Sequence, residues 1–182
     1  VGIGIIEVSA FFASRLRGVA HLPRRKMRAI LALEDGRCFE GESFGAVGTT
    51  VGEACFNTSM SGYQEVLTDP SYRGQIVAMT APQIGNYGVN ALDDESDAVH
   101  VRGFVIEELS PVVSNWRANG GLHDYLVRWG VPGIQGVDTR ALTARIRDLG
   151  MPNAVVANDP DGAFDVGALK REAAAWPGLV GM

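Results

Sequence analysis

The 182-residue sequence is poor in cysteine, with Cys38 and Cys55 as its two examples, and it holds three histidines. Two cysteines are too few for a disulfide framework, and neither lies in the C-x-x-C spacing that binds zinc or transfers electrons. We therefore expect a reducing, cytoplasmic setting. Apolar residues make up 46% of the chain and charged residues 20%, which excludes disordered and fibrous classes and is typical of a folded globular protein.

Positive charge is also scarce over most of the chain. The net charge is −5, but residues 1–27 hold five basic residues against one acidic residue, which leaves −9 for residues 28–182. Lys170 is the one lysine in that second part. Nucleic-acid binding requires a basic surface that neutralises phosphates, and no stripe of Lys and Arg interleaved with aromatic residues is present. Nucleic acid is therefore excluded as a partner.

No segment of the sequence has the length and composition of a membrane span. The apolar opening VGIGIIEVSAFFAS is short, is interrupted by Glu7, and is followed rather than preceded by positive charge. Residues 10–28 resemble an organellar transit peptide, although an extension ahead of a start at Met27 explains them equally well. We expect residues 1–27 to be an extension outside the fold, residues 28–182 to form the domain, and no membrane partner.

Two common nucleotide-binding motifs are missing. A phosphate-binding loop needs a Gly-Lys pair followed by Ser or Thr, and neither Lys26 nor Lys170 follows a glycine. The start Gly2-Ile3-Gly4 lacks the third glycine of a dinucleotide-binding turn. No cofactor is therefore predicted for this chain.

The residues that could act in catalysis are few. Cys38 and Cys55 lie in strand-like runs, where a cysteine is usually a small buried apolar residue rather than an exposed nucleophile. His123 falls on the polar side of a predicted helix, His100 follows an acidic loop, and His21 lies in the extension, so we expect structural or solvated roles for all three. No catalytic residue is predicted.

Four acidic residues are clustered in one predicted loop: Asp93, Asp94, Glu95 and Asp97. The cluster suggests a calcium or magnesium site, but it lacks the D-x-D-x-D-G spacing and the distant bidentate Glu of a calcium loop. A solvated loop is the favoured interpretation, and no metal site is predicted.

Strands are predicted early in the chain and helices late. The run AILALEDGRCFEGESFG predicts a hairpin that turns at Asp35-Gly36. Further strands are predicted at 51–59, 75–81, 101–109, 131–137 and 153–157. Helices are predicted at 122–129, from Asp138 or Thr139 to Leu149, and at 165–176. This order predicts a mixed α/β domain with two sheets and helices on one side.

One segment, residues 56–90, is dense in uncharged polar residues that local structure does not require. Its polar side chains include Asn57, Thr58, Ser59, Ser61 and Gln64. Such a surface can receive a polar, amide-bearing partner. The alternative is a set of loops whose side chains bond to their own backbone, and the residues alone favour neither.

Several long motifs resemble the N-terminal domain of the small, glutamine-hydrolysing subunit of carbamoyl-phosphate synthetase. The similarity covers nearly all of residues 28–182. The motifs are LALEDGRCFEGESFG, GEACFNTSMSGYQEVLTDPSYRGQIV, IGNYGVN, SNWR, VPGIQGVDTRALTARIRDLG and WPGLVGM.

The resemblance implies a swivelling β/β/α domain that contacts a large partner subunit. In this family the small subunit takes ammonia from glutamine, and the large subunit uses ATP, magnesium and bicarbonate to make carbamoyl phosphate for pyrimidine and arginine synthesis. Glutamine hydrolysis belongs to a following class I amidotransferase domain with a G-x-C-x-G motif. That motif is absent here. We therefore expect the chain to dock the large subunit and to lack glutaminase activity by itself.

One ligand position follows from the resemblance. The serine of the D-P-S-Y motif, here Ser71, is expected to reach across to bound glutamine, although a serine that caps its own turn is the alternative. Two other functions stay open. The chain could be a pure interaction module without a part in glutamine use, or a stand-alone small-molecule binder with the same fold.

Overall fold

The computed structural model describes residues 27–180, and this part of the chain forms a mixed α/β domain as predicted. The strands are β1 (Arg28–Leu33), β2 (Cys38–Gly45), β3 (Thr49–Asn57), β4 (Gln75–Met79), β5 (Gln83–Ile84), β6 (Gly103–Val105), β7 (Glu108–Leu109), β8 (Pro132–Gln135) and β9 (Asn153–Asp159). The helices are α1 (Tyr63–Thr68), α2 (Leu122–Trp129), α3 (Thr139–Leu149) and α4 (Val166–Ala175), with a short 3-10 helix at Pro70–Tyr72.

Seven of the strands close into a barrel in the order β1-β2-β8-β6-β4-β3-β9. The pairs β3–β4, β4–β6 and β6–β8 are parallel, whereas β2 and β9 run antiparallel to their neighbours. Strands β1, β3, β4, β6 and β8 therefore all point the same way. Their carboxyl ends meet at one end of the barrel, which we call the carboxyl end.

The hairpin and two helix boundaries form where the sequence predicts them. Gly36 has a φ of +92° in the turn between β1 and β2, a backbone angle that glycine adopts without strain. The carboxylate of Asp138 caps α3 by accepting a hydrogen bond from the backbone N–H of Ala141 at 2.8 Å. Gly130 ends α2 in the left-handed conformation.

Three apolar clusters hold the fold together. The barrel interior packs small and branched side chains such as Ala29, Leu31 and Ile134, and α3 adds Leu142 and Ile146 to it. A second cluster joins α1 and α2 to the outer face of β3, β4 and β6. The third joins α4 to the outer face of β1 and β9. Because α3 follows β8 and packs into the interior cluster, it covers the carboxyl end of the barrel.

The structure confirms the mixed α/β class, but it does not confirm the swivelling two-sheet arrangement with helices on one side: the main sheet is a closed seven-stranded barrel beside the two-stranded sheet of β5 and β7. The main sheet closes because β1 pairs with β2 along one edge and with β9 along the other. Helices pack on two separate outer faces and over one end. The closure was not predicted because β1 is buried on both of its faces, and such an apolar run is expected in an open sheet as well as in a closed one.

Several short elements were not predicted. Helix α1 and the 3-10 helix lie inside the polar segment, and the predicted strand at 101–109 is divided into β6 and β7. Strand β7 pairs with β5 in a separate two-stranded sheet. The proposed extension falls, apart from Met27, outside the described residues. Within residues 27–180, no helix combines the length and apolar character needed to cross a bilayer.

Replacement of Gly41 by alanine tests the closure of the barrel. A β-carbon at Gly41 would lie well inside contact distance of the backbone oxygen of Gln135, and neither backbone can move without separating β2 from β8. We expect Gly41→Ala to lower the free energy of unfolding by about 3 kcal/mol in urea titrations. Gly120→Ala is the control, because its nearest neighbour is 3.9 Å away. Equal stability of the two variants would contradict this role for Gly41.

Candidate functional site

Ser71 lies on the 3-10 helix, at the surface between α1 and β4. Asp69 caps this helix: its Oδ1 accepts a hydrogen bond from the backbone N–H of Ser71 at 2.8 Å. The backbone N–H and the hydroxyl of Ser71 both lower the pKa of Asp69. Pro70 fixes the first position of the turn. The turn is therefore rigid, and it presents an exposed serine side chain.

The hydrogen bonds between Ser71 and Asp69 are the local contacts expected if this serine only caps its own turn, which is the alternative interpretation. The side chain also remains open to solvent, where a ligand can reach it. The role of Ser71 toward glutamine is not tested by this geometry and stays a prediction.

Asn57 connects the 3-10 helix to the end of β3. Its amide Nδ2 donates to the hydroxyl of Tyr72 at 2.9 Å, and its Oδ1 accepts from the backbone N–H of Ser59 at 2.7 Å. Its backbone oxygen accepts from the N–H of Thr80 at 3.0 Å. Asn57 therefore holds the residues that follow β3 and β4 in a fixed position beside the turn that carries Ser71.

Two stacked tyrosines fix the start of α1. The rings of Tyr63 and Tyr87 lie 4.2 Å apart, and the Tyr87 hydroxyl accepts hydrogen bonds from the backbone N–H groups of Gly62 and Tyr63. In return, the Tyr63 hydroxyl donates to the backbone oxygen of Gly88 at 2.6 Å. Because Gly62 has no side chain to cap the helix, a tyrosine from a distant turn supplies the acceptor. Burial raises the pKa of both tyrosines.

A buried polar network lies behind this pair. The side chain of Gln64, which has no exposed surface, accepts from the backbone N–H of Asn90 at 2.9 Å and donates to its backbone oxygen. Gln64 also donates to Asp94 Oδ1 at 2.7 Å, and the hydroxyl of Tyr125 donates to the same oxygen at 2.8 Å. Burial, together with this carboxylate, raises the pKa of Tyr125. The network ties α1, α2 and the acidic loop together.

The acidic cluster is therefore only partly solvated. Asp93 is half-buried: it accepts from Asn90 and pairs with Arg117 at 3.2 Å. Asp94, Glu95 and Asp97 are exposed, and of these Asp94 accepts the bonds just described. In residues 27–180, no three His, Cys, Asp or Glu side chains are grouped so that they could hold a metal ion. Asp93 and Asp94 hold loops in place through these hydrogen bonds.

The polar segment divides into two parts. Tyr63, Gln64 and Tyr87 bond to backbone, as the second interpretation of the segment predicts. Residues 58–61 and Ser71 are exposed and can meet a partner. Sequence reasoning missed the roles of Asn90 and Tyr125, because Asn90 lies in a loop without a regular pattern and Tyr125 also fits the apolar stripe of α2.

The cysteines and histidines in the described part of the chain do not form a catalytic pair. Cys55 is buried, and burial with the nearby Glu53 raises its pKa to about 12. His123 Nδ1 accepts from the backbone N–H of Gly45 at 3.0 Å, and His100 Nε2 lies 3.0 Å from Ser96 Oγ. No hydrogen bond joins a cysteine to a histidine within residues 27–180. His21 lies outside these residues.

Comparison with known proteins gives a family for the chain. Residues 31–156 match the family model described as "Carbamoyl-phosphate synthase small chain, CPSase domain". The carbamoyl phosphate synthase small chain of Caulobacter vibrioides is 51% identical over 157 residues, which cover 84% of this chain and 40% of the relative. That of Akkermansia muciniphila is 61% identical over 133 residues, covering 73% and 36%. The chain thus spans about two fifths of the length of these relatives.

A comparison of folds adds nothing to this result. The aminopeptidase from Aneurinibacillus sp. strain AM-1 aligns with a TM-score of 0.40 and 14% identity, over 74% of this chain and 31% of the aminopeptidase. At that level of similarity no argument about fold or function follows.

Replacement of Gln64 tests the buried network. Gln64→Leu leaves the buried N–H and C=O of Asn90 without partners, so we expect the free energy of unfolding to fall by about 3 kcal/mol. Gln83→Leu is the control, because Gln83 is exposed. Urea denaturation followed by circular dichroism measures both. If Gln64→Leu lowered the free energy of unfolding no more than Gln83→Leu does, the network would not stabilise the fold.

Thiol labelling tests the environment of Cys55. A thiol with a pKa of about 12 holds roughly one part in ten thousand as thiolate at pH 8, so Cys55 should stay unlabelled in the folded protein. Its labelling rate should keep rising with pH until unfolding, because the reactive thiolate forms only near the raised pKa. Partly exposed Cys38 should react first, and Cys38→Ser should remove that reaction. Rapid labelling of Cys55 at pH 8 would contradict the buried position.

Proposed function

The chain belongs to the family of carbamoyl phosphate synthase small chains, and from this premise we propose that it works as the N-terminal domain of such a small chain. In this proposal the assembled small chain releases ammonia from glutamine. A large chain combines the ammonia with bicarbonate and ATP to form carbamoyl phosphate for pyrimidine and arginine synthesis. This domain docks the large chain and borders the glutamine site.

The observation that carries the proposal is the family match over residues 31–156. The matched region includes the barrel from the middle of β1 to the middle of β9 and the turn that holds Ser71. The exposed serine on a rigid, proline-led turn supports a ligand-contact role, since its position costs little further entropy to fix when a ligand binds. We assign Ser71 as the residue that contacts glutamine.

The isolated domain is proposed to have no glutaminase activity. Amide hydrolysis through a covalent intermediate needs an exposed nucleophile beside a base. Cys55 is buried with a raised pKa, and the hydrogen bonds of His100 and His123 go to a serine and to backbone. The nucleophile, base and orienting carboxylate are proposed to lie in an amidotransferase domain that works together with this one.

The remaining partners follow from the same proposal. ATP and magnesium are assigned to the large chain, and no cofactor is assigned to this domain. Cytoplasmic location is supported by two cysteines that are both free in the structure.

Reconstitution separates this function from the two alternatives. The chain is combined with a large chain and with the amidotransferase part of a small chain from a related carbamoyl phosphate synthase. Synthesis of carbamoyl phosphate is then measured with glutamine and with ammonium. We expect glutamine to support synthesis only when all three parts are present. Synthesis that used ammonium but never glutamine would favour a pure interaction module, and tight glutamine binding by the chain alone would favour a stand-alone binder.

Replacement of Ser71 tests the predicted glutamine contact. Ser71→Ala removes one hydrogen bond to the ligand, so we expect the KM for glutamine in the assembled enzyme to rise about tenfold while ammonium-driven synthesis is unchanged. Ser61→Ala is the matched control, since Ser61 is also exposed and makes no hydrogen bond through its side chain to another described residue. Equal loss of glutamine-driven and ammonium-driven synthesis would remove this role from Ser71.

A further inference from the structure

A cleft of about 540 Å³, with polar and apolar groups in its lining, lies at the carboxyl end of the barrel. It is lined by residues of α3 and by side chains just beyond the ends of parallel strands: Thr58 directly after β3, Thr80 directly after β4, and Glu107 two residues after β6. Crevices at the carboxyl ends of parallel strands are the usual ligand sites of α/β sheets, because loops from several strands converge there. We call it the threonine–arginine cleft.

The threonine hydroxyls of this cleft lack hydrogen-bond partners in the described part of the chain. Thr139 is only 2% exposed, lines the cleft, and makes no side-chain hydrogen bond to another described residue. The hydroxyl of Thr143, also in the lining, is buried and unpaired. Buried side chains in native proteins almost always have a partner for their hydroxyl, so the open hydroxyl of Thr139 indicates a ligand that supplies it.

The charges of the cleft show what kind of ligand fits. Arg140 makes no ion pair with a described residue, and Arg147 contacts only its exposed neighbour Asp148 at 3.3 Å. By contrast Arg145, on another face of α3, is already paired with Asp35. The unpaired guanidinium of Arg140 and the exposed guanidinium of Arg147, beside the hydroxyl of Thr139, form a surface for a carboxylate, which accepts hydrogen bonds from all three.

Met60 favours a protein as the source of that carboxylate. Its side chain is 88% exposed, two residues from Thr58. An exposed apolar side chain gains nothing from a small ion but is buried when a protein docks, and Met and Arg are both enriched in protein interfaces. Residues 28–182 carry a net charge of −9, so most of the domain surface repels an acidic partner. The two arginines of the cleft attract such a partner and so select this surface for docking.

We propose that the threonine–arginine cleft receives an acidic side chain of the large chain of carbamoyl phosphate synthase, held by Arg140 and Arg147 and by the hydroxyl of Thr139. This inference rests on the proposed function, because it takes the large chain as the partner. Glu107 lines the same cleft and opposes the incoming carboxylate.

Binding measurements with the full 182-residue chain and a large chain from a related enzyme test the proposal. The double variant Arg140→Gln/Arg147→Gln should bind at least about tenfold more weakly, since a charged partner loses its hydrogen bonds. Lys170→Gln/Arg171→Gln is the matched control: it also removes two positive charges, but from the exposed side of α4, which packs on β1 and β9. Glu107→Gln should strengthen binding, because it removes the opposing charge.

Salt dependence and an uncharged variant give independent readouts. Between 50 and 300 mM sodium chloride, affinity of the unaltered chain should fall more steeply than affinity of the double variant, because the variant has lost the ionic contact. Thr139→Val should weaken binding without changing that slope. All variants should match the unaltered chain in their urea midpoints.

The outcomes separate this inference from the proposed function. If the unaltered chain does not bind the large chain, the proposed function fails and takes the inference with it. If it binds and the double variant binds equally well, the inference alone is overturned. Two further results would also overturn it, because they would assign the cleft to another occupant. In the first, the double variant still binds the large chain but no longer self-associates in sedimentation. In the second, it still binds the large chain but free glutamate no longer protects it from thermal unfolding.

Discussion

The double pairing of β1 is the constraint on which the rest of the structure depends. Hydrogen bonds to β2 on one side and to β9 on the other join residues 28–45 to residues 153–159 and close the main sheet. Closure brings the carboxyl ends of five like-directed strands together. Helix α3 can then cover that end, fixed by Leu142 and Ile146 in the interior and by the ion pair of Arg145 with Asp35. The functional side chains are all positioned relative to this barrel.

The polar residues of the segment at 56–90 serve two separate purposes. Some are buried and bond to backbone of distant loops, as Gln64 does with Asn90, and these hold α1 against the barrel. Others, such as Ser71 and Thr58, stay exposed at turns whose backbone is fixed by neighbouring side chains. Buried polar networks of this kind are costly to leave unsatisfied, so they define one conformation for the exposed residues beside them.

Local chemistry made much of the secondary structure predictable. The turn at Asp35-Gly36, the cap at Asp138 and the stop at Gly130 depend on neighbouring residues, and each was confirmed. Sheet closure was not predictable, because β1 is apolar on both faces and its second partner lies more than a hundred residues away. The functional residues were hard to predict for the same reason, because residues from distant parts of the sequence come together only in the fold.

Ser71 could be proposed only from a resemblance, because a serine after proline is common in turns that have no ligand. The threonine–arginine cleft had no local signal, since Thr58, Thr80 and Thr139 are far apart in the sequence and only the parallel strand order brings them together. Tyr87 gave no signal as a helix cap either, because it lies well outside the helix that it caps.

A closed main sheet has a consequence for recognition. In an open sheet, edge strands expose unpaired backbone groups, and another chain can add a strand to them. In the barrel each of the seven strands has neighbours on both sides, so this route of association is closed. Any protein that recognises the barrel must therefore do so through side chains on loops and helices, where a single substitution can change the choice of partner.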